Sequence, residues 1–404
     1  MKMNEIFEKL EEMQQELINF TIEMNRIKAV NPAFGGEGEE KRAEWLEGKL
    51  KEICDEVHRY DTVDENGLKR PNLIGIIYGE NRERTIWFIG HMDTVPEGDL
   101  ELWNHDPYDP ILKDGKIYGR GTLDDGQAIV SSYFAAKAIL SSGYRPKYNI
   151  GLAYVADEEA GSRYGAAFLM DKGIFKQNDL VVVPDSGNED GSFIEIAEKS
   201  AAWLKITTIG KQTHASIPHT GINAHKAGMK FALAVDEFLH RKYDARDETF
   251  EPPESTFEIT KKEKNVDNIN TIPGTDIIYF DFRVLPQYNI DDVISDVKEI
   301  ANEYEDKERV KINVDIVQKS QAAPPTDVNS EIVQKLIKAI KELRGIEARP
   351  GGVGGGTVAA FFRRMGVPAV VWMTADEVEH QPNEFCRIKN CIEDAKVFIY
   401  LAMN

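Results

Sequence analysis

The chain has 404 residues, a formal net charge of -20 and 42% hydrophobic residues. That length supports two or three domains with a sizeable core, and the ordinary apolar content excludes a disordered polymer. The acidic balance argues against nucleic-acid or anionic-membrane binding, both of which need basic surface. The chain starts with "MKMNEIFEKLEEMQQEL", acidic and amphipathic, without the apolar core of a secretory signal. Apolar residues at helical spacing (Ile6, Leu10, Met13, Leu17, Phe20, Met24) predict a helix over residues 3 to about 28, bounded by Asn31-Pro32. A second helix is expected over about 40–57. Short apolar runs at 72–79, 85–90, 149–155, 180–184 and 369–373 read as buried strands, with helical patterns at 126–141, 162–173 and 328–344. Asp114-Gly115 inside "ILKDGKIYG" (111–119) predicts a tight hairpin. Strands alternating with helices give an α/β class with a mostly parallel sheet flanked by helices.

Between about 200 and 318 the pattern changes to half-buried strands ("AAWLKITTIG", "ESTFEIT", "TDIIYFDFRV", "RVKINVDIV") with helices at 222–241 and 291–305. Strand-helix-strand-strand-helix-strand is the order of a ferredoxin-like α+β unit. The expected organisation is one α/β domain built from 1–199 and 319–404, interrupted by an inserted domain at 200–318. Three cysteines, Cys54, Cys386 and Cys391, without a C-x-x-C pair exclude a disulfide framework and a thiolate zinc site. No apolar run approaches the roughly 20 residues that span a bilayer. The expected location is the cytoplasm.

The ends of the apolar strands carry the chemistry. "TIWFIG" runs into Gly90-His91-Met92-Asp93, and the hairpin feeds Gly121-Thr122-Leu123-Asp124-Asp125. "YVADEEAG" ends a strand in Asp157, Glu158 and Glu159, "LVVVP" ends at Asp185, and "AVVWM" precedes Glu377, Glu379 and His380. Ligands of open α/β sheets bind outside the carboxyl ends of the strands. An isolated Asp-Glu-Glu is ordinarily a solvated turn, but at the mouth of a buried strand three carboxylates repel one another and lose solvation unless a cation sits beside them. Mixed imidazole and carboxylate donors suit zinc, cobalt or manganese better than calcium.

Eight segments, in order and spread over nearly the whole chain, resemble the M20 metallopeptidase family, which includes acetylornithine deacetylase, succinyl-diaminopimelate desuccinylase, aminoacylase and carboxypeptidase G. They are "GHMDTVP", "YGRGTLDD", "ADEEAGS", "VVPDSG", "GKQTHASIPHTGINA", "NTIPG…DFRVLP", "GGGT" and "EHQPNEF". The resemblance implies a catalytic α/β domain with a ferredoxin-like lid, and two divalent ions, zinc first with cobalt or manganese as alternatives. Asp124 would bridge the ions, with His91 and Asp185 completing one and Glu159 and His380 the other. Asp93, two residues beyond His91 on an extended segment, would hold the imidazole's other nitrogen. Glu158 would be the general base, and the Asp124-Asp125 peptide is often cis in the family. His214 would stabilise the oxyanion across a homodimer interface formed by the lid, while Arg120 and Asp157 are read as supporting residues.

Asn270, Arg283 and the loop Gly354-Gly355-Gly356-Thr357 match positions that hold a substrate carboxylate; Arg283 has Asp281 as a competing partner. The glycines precede a helix expected from Thr357 to Arg364, whose N–H groups would face an anion. The implied activity is hydrolysis of the amide bond of a small N-acyl amino acid with a free carboxylate, as in the desuccinylase and deacetylase. A dipeptidase or carboxypeptidase of the same family is the alternative. A non-catalytic metal- or peptide-binding relative is the competing class. Two departures bear on substrate: Val358 stands where many deacylase-like members have Asp, and Asp125-Gly126-Gln127 replaces Met-Lys-Gly, a doubled Asp more reminiscent of dipeptidases. Acetyl, succinyl and aminoacyl groups all remain compatible.

Overall fold

The apolar runs assemble into one eight-stranded sheet. Its order is Glu56–Val63, Lys69–Ile77, Tyr148–Val155, Asn81–His91, Leu180–Asn188, Ala369–Thr374, Phe193–Glu198 and Arg349–Val353. A computed structural model describes residues 2–404. The four inner strands, from Tyr148–Val155 to Ala369–Thr374, run parallel. They are buried on both faces, which is why they read as continuous apolar runs rather than as alternation. Antiparallel strands flank them: Lys69–Ile77 pairs Tyr148–Val155 and Glu56–Val63, and Phe193–Glu198 pairs Ala369–Thr374.

Helix Gly126–Ser141 is apolar nearly all round and almost wholly buried, and it packs against helix Ile388–Met403. Helix Glu331–Arg344 is amphipathic instead, burying Ile332, Val333, Leu336, Ala339 and Ile340 and ending on the left-handed Gly345. Trp87, Ile89, Val155, Val181, Val183, Phe362 and Val371 form a continuous core beside the inner strands. No described helix is long and apolar enough to cross a membrane.

Several boundaries differ from the sequence reading. The first helix breaks at Met13 into Lys2–Glu12 and Gln14–Arg26. The second stops at Ile53, and Glu56–Val63 is an edge strand, because every residue of it pairs in antiparallel register with Lys69–Ile77. Only Ala166–Met170 is helical within 162–173. Asp114 and Gly115 both take positive φ (50° and 73°), the requirement of the tight hairpin between Ile111–Lys113 and Lys116–Tyr118.

The chain divides into two compact units. The first runs up to Ile196 and includes Thr326–Gly351 and Thr357–Asn404; the second is Ala197–Pro325 with Gly352–Gly356. Within the second, four antiparallel strands lie in the order Thr256–Lys262, Thr275–Val284, Ser200–Ile209, Lys311–Ser320. Taken along the chain this is the ferredoxin-like arrangement, with helices Ala224–Lys242 and Ile290–Glu308 between the strands. Ala202, Leu204 and Ile206 alternate inward and meet Phe231, Val235, Val293 and Val297 from the helices.

Candidate metal centre

His91 closes the strand Asn81–His91, where every residue from Thr85 onward is buried. Its Nδ1 lies 3.0 Å from the main-chain oxygen of Asp93, which turns Nε2 toward Asp124 Oδ1 at 2.9 Å and Asp185 Oδ1 at 3.4 Å. His380, held at a φ of 59°, places Nε2 3.0 Å from Asp124 Oδ2 and 3.2 Å from Glu159 Oε2. Asp124 therefore gives one carboxylate oxygen to each histidine. Asp125 also comes within reach of His91 and Asp185, their candidate ligand atoms lying within 4.8 Å of one another. Its Oδ2 accepts the main-chain N–H of His91 at 2.9 Å, and its buried Oδ1 has no hydrogen-bond partner among the described residues.

Without cations this cluster is short of positive charge, and its acid–base behaviour records the shortage. Burial alone would lower the His91 pKa, but hydrogen bonds to Asp124, Asp185 and Asp93 hold it well above its ordinary value. His380 is raised to about 10 by its bonds to Asp124 and Glu159. Burial opposes ionisation of Asp124, yet the two histidines hold it well below the usual carboxylate range. Glu159 is pushed up to about 7 by burial and by Asp124, which outweigh its bond to His380. Burial, then the charge of Asp185, pushes Glu158 well above the carboxylate range. Glu159 Oε1 is buried and has no hydrogen-bond partner among the described residues. Orphaned carboxylate oxygen beside two imidazoles is a donor set that fits borderline divalent ions.

His214, Asn270, Arg283 and Gly354–Gly356 belong to the second unit. In the second unit His214 is exposed on the short strand Thr213–His214, and its Nδ1 accepts the main-chain N–H of Ser216 at 3.1 Å. Its Nε2 lies 3.5 Å from Asn270 Nδ2. Arg283 donates from Nε and Nη2 to both oxygens of Asp281 at 2.6 and 2.9 Å, and from Nη1 to the Gly354 carbonyl at 2.8 Å. The glycine loop thus meets Arg283 through a carbonyl, not through N–H groups. In the first unit the short helix starts at Ala359, not Thr357, and Thr357 Oγ1 accepts the Ala359 N–H at 3.2 Å.

The sequence model of peptidase family M20/M25/M40 matches residues 87–404. The chain belongs to that family. It is 41% identical over 403 residues to an uncharacterized metallohydrolase of Methanocaldococcus jannaschii, covering 95% of this chain and 98% of that protein. A succinyl-diaminopimelate desuccinylase of Nitratiruptor sp. is 30% identical over 315 residues, 76% of this chain and 80% of the relative. The crystal structure of aminopeptidase PepT from Bacillus cereus shares the fold, with a TM-score of 0.77, 21% identity and coverage of 96% and 98%.

In this M20 metallohydrolase the strand ends are held by residues that sequence reasoning passed over. Buried Glu384 accepts the main-chain N–H groups of Leu123 and Asp124 on Oε1 (both 3.0 Å) and that of Gly121 on Oε2 (3.1 Å), while Arg120 donates to Oε2 at 2.6 Å. Gly121, at φ 82°, allows the loop to double back, since a Cβ there would meet Thr94 Cγ2 at 2.7 Å. The Asp124-Asp125 peptide is cis. Arg42, fully buried, donates to the carbonyls of Ile27 and Met92 on either side of the His91 segment's neighbours.

Asp93 faces the imidazole of His91 and the acidic turn together. Its Oδ1 is 3.6 Å from His91 Nδ1, whereas Oδ1 and Oδ2 accept the main-chain N–H groups of Glu158 and Glu159 at 3.0 and 3.1 Å. The main-chain oxygen of Asp93 lies nearest the imidazole, and its carboxylate stays beside the ring while holding the acidic turn. Asn31 donates to Asp93 Oδ2 at 2.7 Å and completes that arrangement. Asn31-Pro32 reads in the sequence only as a helix boundary, and Glu384 sits inside the segment "EHQPNEF" without an obvious task.

Proposed function

We propose that this metallohydrolase cleaves the amide bond of a small N-acyl amino acid carrying a free carboxylate, in the manner of a desuccinylase or deacetylase. The observation that carries the reading is Asp124 spanning His91 and His380 while the adjacent Glu158 carboxylate makes no hydrogen bond among the described residues. His91, Asp124 and Asp185 would hold one divalent ion, and Asp124, Glu159 and His380 the other, with zinc first and cobalt or manganese as alternatives. Such ions supply Lewis acidity to the scissile carbonyl and to the attacking water.

The chain's own groups move the proton. Glu158 takes a proton from the attacking water and delivers it to the leaving nitrogen, so that the C–N bond breaks as the amine becomes neutral. Its main chain is pinned by Asp93, which keeps the carboxylate aimed while leaving it unliganded. His214 presents Nε2–H to the oxyanion that develops on the carbonyl. Asn270 and Arg283, with Gly354–Thr357, would receive the substrate carboxylate; Arg283 must then exchange or share its bond to Asp281.

The partner we propose for His214 is a second copy of the chain, meeting through the unit at 200–318. Met229 and Leu233 support this, one turn apart on helix Ala224–Lys242 and 46% and 65% exposed. The three cysteines are free, in keeping with a cytoplasmic location.

A dipeptidase or carboxypeptidase is the second reading, favoured by the doubled Asp124-Asp125 and by Val358. A panel of N-acetyl and N-succinyl amino acids and dipeptides, assayed with zinc, cobalt and manganese, tests both. Hydrolysis of an N-acyl amino acid that a chelator abolishes is expected. Cleavage of dipeptides alone would move the assignment to the second reading, and no turnover with any metal would leave the non-catalytic class.

A further inference from the structure

Beneath the acidic turn lies a buried charge network that reaches the proposed metal ligands through Asp93, whose Oδ1 lies 3.6 Å from His91 Nδ1. Arg70, on strand Lys69–Ile77, is 2% exposed; Glu39, the residue that opens helix Glu40–Ile53, is 0% exposed. The guanidinium grips Glu39 with a fork, Nε to Oε2 at 3.0 Å and Nη2 to Oε1 at 2.5 Å. Its third nitrogen, Nη1, lies 3.1 Å from Asp157 Oδ1. Glu39 Oε1 in turn accepts the main-chain N–H of Asp157 at 3.1 Å. One Arg–Glu pair therefore holds Asp157 by both its main chain and its side chain.

Asp157 needs that grip. It sits at φ 65°, in the left-handed region, immediately before Glu158. Its Oδ2 accepts the Tyr164 N–H at 3.0 Å, and its Oδ1 shares the Asn31 amide (3.2 Å) with Asp93, the residue from which Glu158 and Glu159 hang. Buried Glu39, Asp93 and Asp157 thus meet, with Arg70 as the guanidinium bonded to Glu39 and Asp157 and lying 4.0 Å from a further buried acid, Asp64. Arg42, nearby, gives its hydrogen bonds to the carbonyls of Ile27 and Met92 instead.

We infer that Arg70, acting with Glu39 through Asp157 and Asn31, is a positioning residue that sets the aim of the Glu158 and Glu159 carboxylates. The inference rests on the metal-hydrolase reading above. Its physical content is geometric: a planar fork can bond two acids in fixed directions, and an ammonium at the same place cannot. A turn relaxed by about 1 Å at the base costs up to roughly 100-fold in rate.

The test is Arg70→Lys, read in two ways. Metal-free protein is titrated with zinc against a chromogenic chelator, and the zinc-loaded protein is assayed on the best substrate of the panel. Zinc affinity is expected to fall roughly 10- to 100-fold, and kcat by a similar factor, as for other residues that orient ligands from behind. KM should stay within about twofold, because no group that touches substrate has changed. A merely structural Arg70 would lower the melting temperature while the folded protein kept parental zinc affinity and kcat, and that result overturns the inference. If circular dichroism shows that Arg70→Lys does not fold, Glu39→Gln is judged by the same two readings, and parental values there overturn it equally. Parent protein that neither binds zinc nor hydrolyses anything overturns the functional reading along with this one, whereas a competent parent with an indistinguishable variant overturns this one alone.

Discussion

Glu158 and Glu159 are neighbours in sequence for which we propose different tasks, and the difference lies in where each carboxylate can reach. Glu159 Oε2 is 3.2 Å from His380 Nε2, and Glu158 has no such partner among the described residues. Glu158→Gln should therefore leave metal content at the parental level while kcat falls by about 100- to 10,000-fold; metal analysis beside turnover checks it, and a lost metal would make Glu158 a ligand instead. His380 makes a second prediction. Its pKa in the metal-free protein rises from 6.5 to about 10, so its protonated form stabilises that protein fully below about pH 6.5, and this contribution fades as pH climbs through about 10. An ion must displace that proton, so metal uptake should release protons and tighten as pH rises from 6.5 toward 10. Calorimetry in buffers of different ionisation enthalpy reads the release directly; binding without it contradicts the assignment of His380. The residues at the strand ends were legible because apolar runs stop on them. Asn31, Glu39, Arg70 and Glu384 were not, because a buried ion pair between distant segments leaves no period in the sequence.

At the scale of elements, the loop from Gly119 to Asp125 shows how a turn is made to serve a strand end. Glu384 gathers three of its N–H groups, and Gly121 supplies the left-handed residue. Gly121→Ala should cost at least about 1 kcal/mol, since the new Cβ meets both an unfavourable φ and Thr94. Urea unfolding of the metal-free protein measures this, and an unchanged midpoint would show that the loop does not need its glycine. Elements with strong signals were legible: the inner strands by their apolar runs, the hairpin by Asp114-Gly115. The break at Met13 and the strand Glu56–Val63 were not, because helical spacing continues across the first and the second alternates only half-buried residues. Tertiary pairing with Lys69–Ile77 decides that strand.

For the whole molecule, membership of the M20 family narrows the chemistry to metal-assisted hydrolysis, and the ferredoxin-like unit is where we propose that assembly enters. Replacing both Met229 and Leu233 by Asp should shift the sedimenting species from two chains to one and depress activity through His214, leaving zinc content unchanged. A fully active monomeric parent would contradict that role for the second unit. The central claim is narrower, namely that side chains from five strand-end segments cage a pair of divalent ions. Anomalous diffraction at the zinc edge from zinc-loaded crystals tests it most directly. The account predicts two peaks on either side of Asp124, one beside His91 and Asp185 and the other beside Glu159 and His380, with Glu158 bound to neither. Zinc-loaded crystals without a peak between these side chains would contradict it.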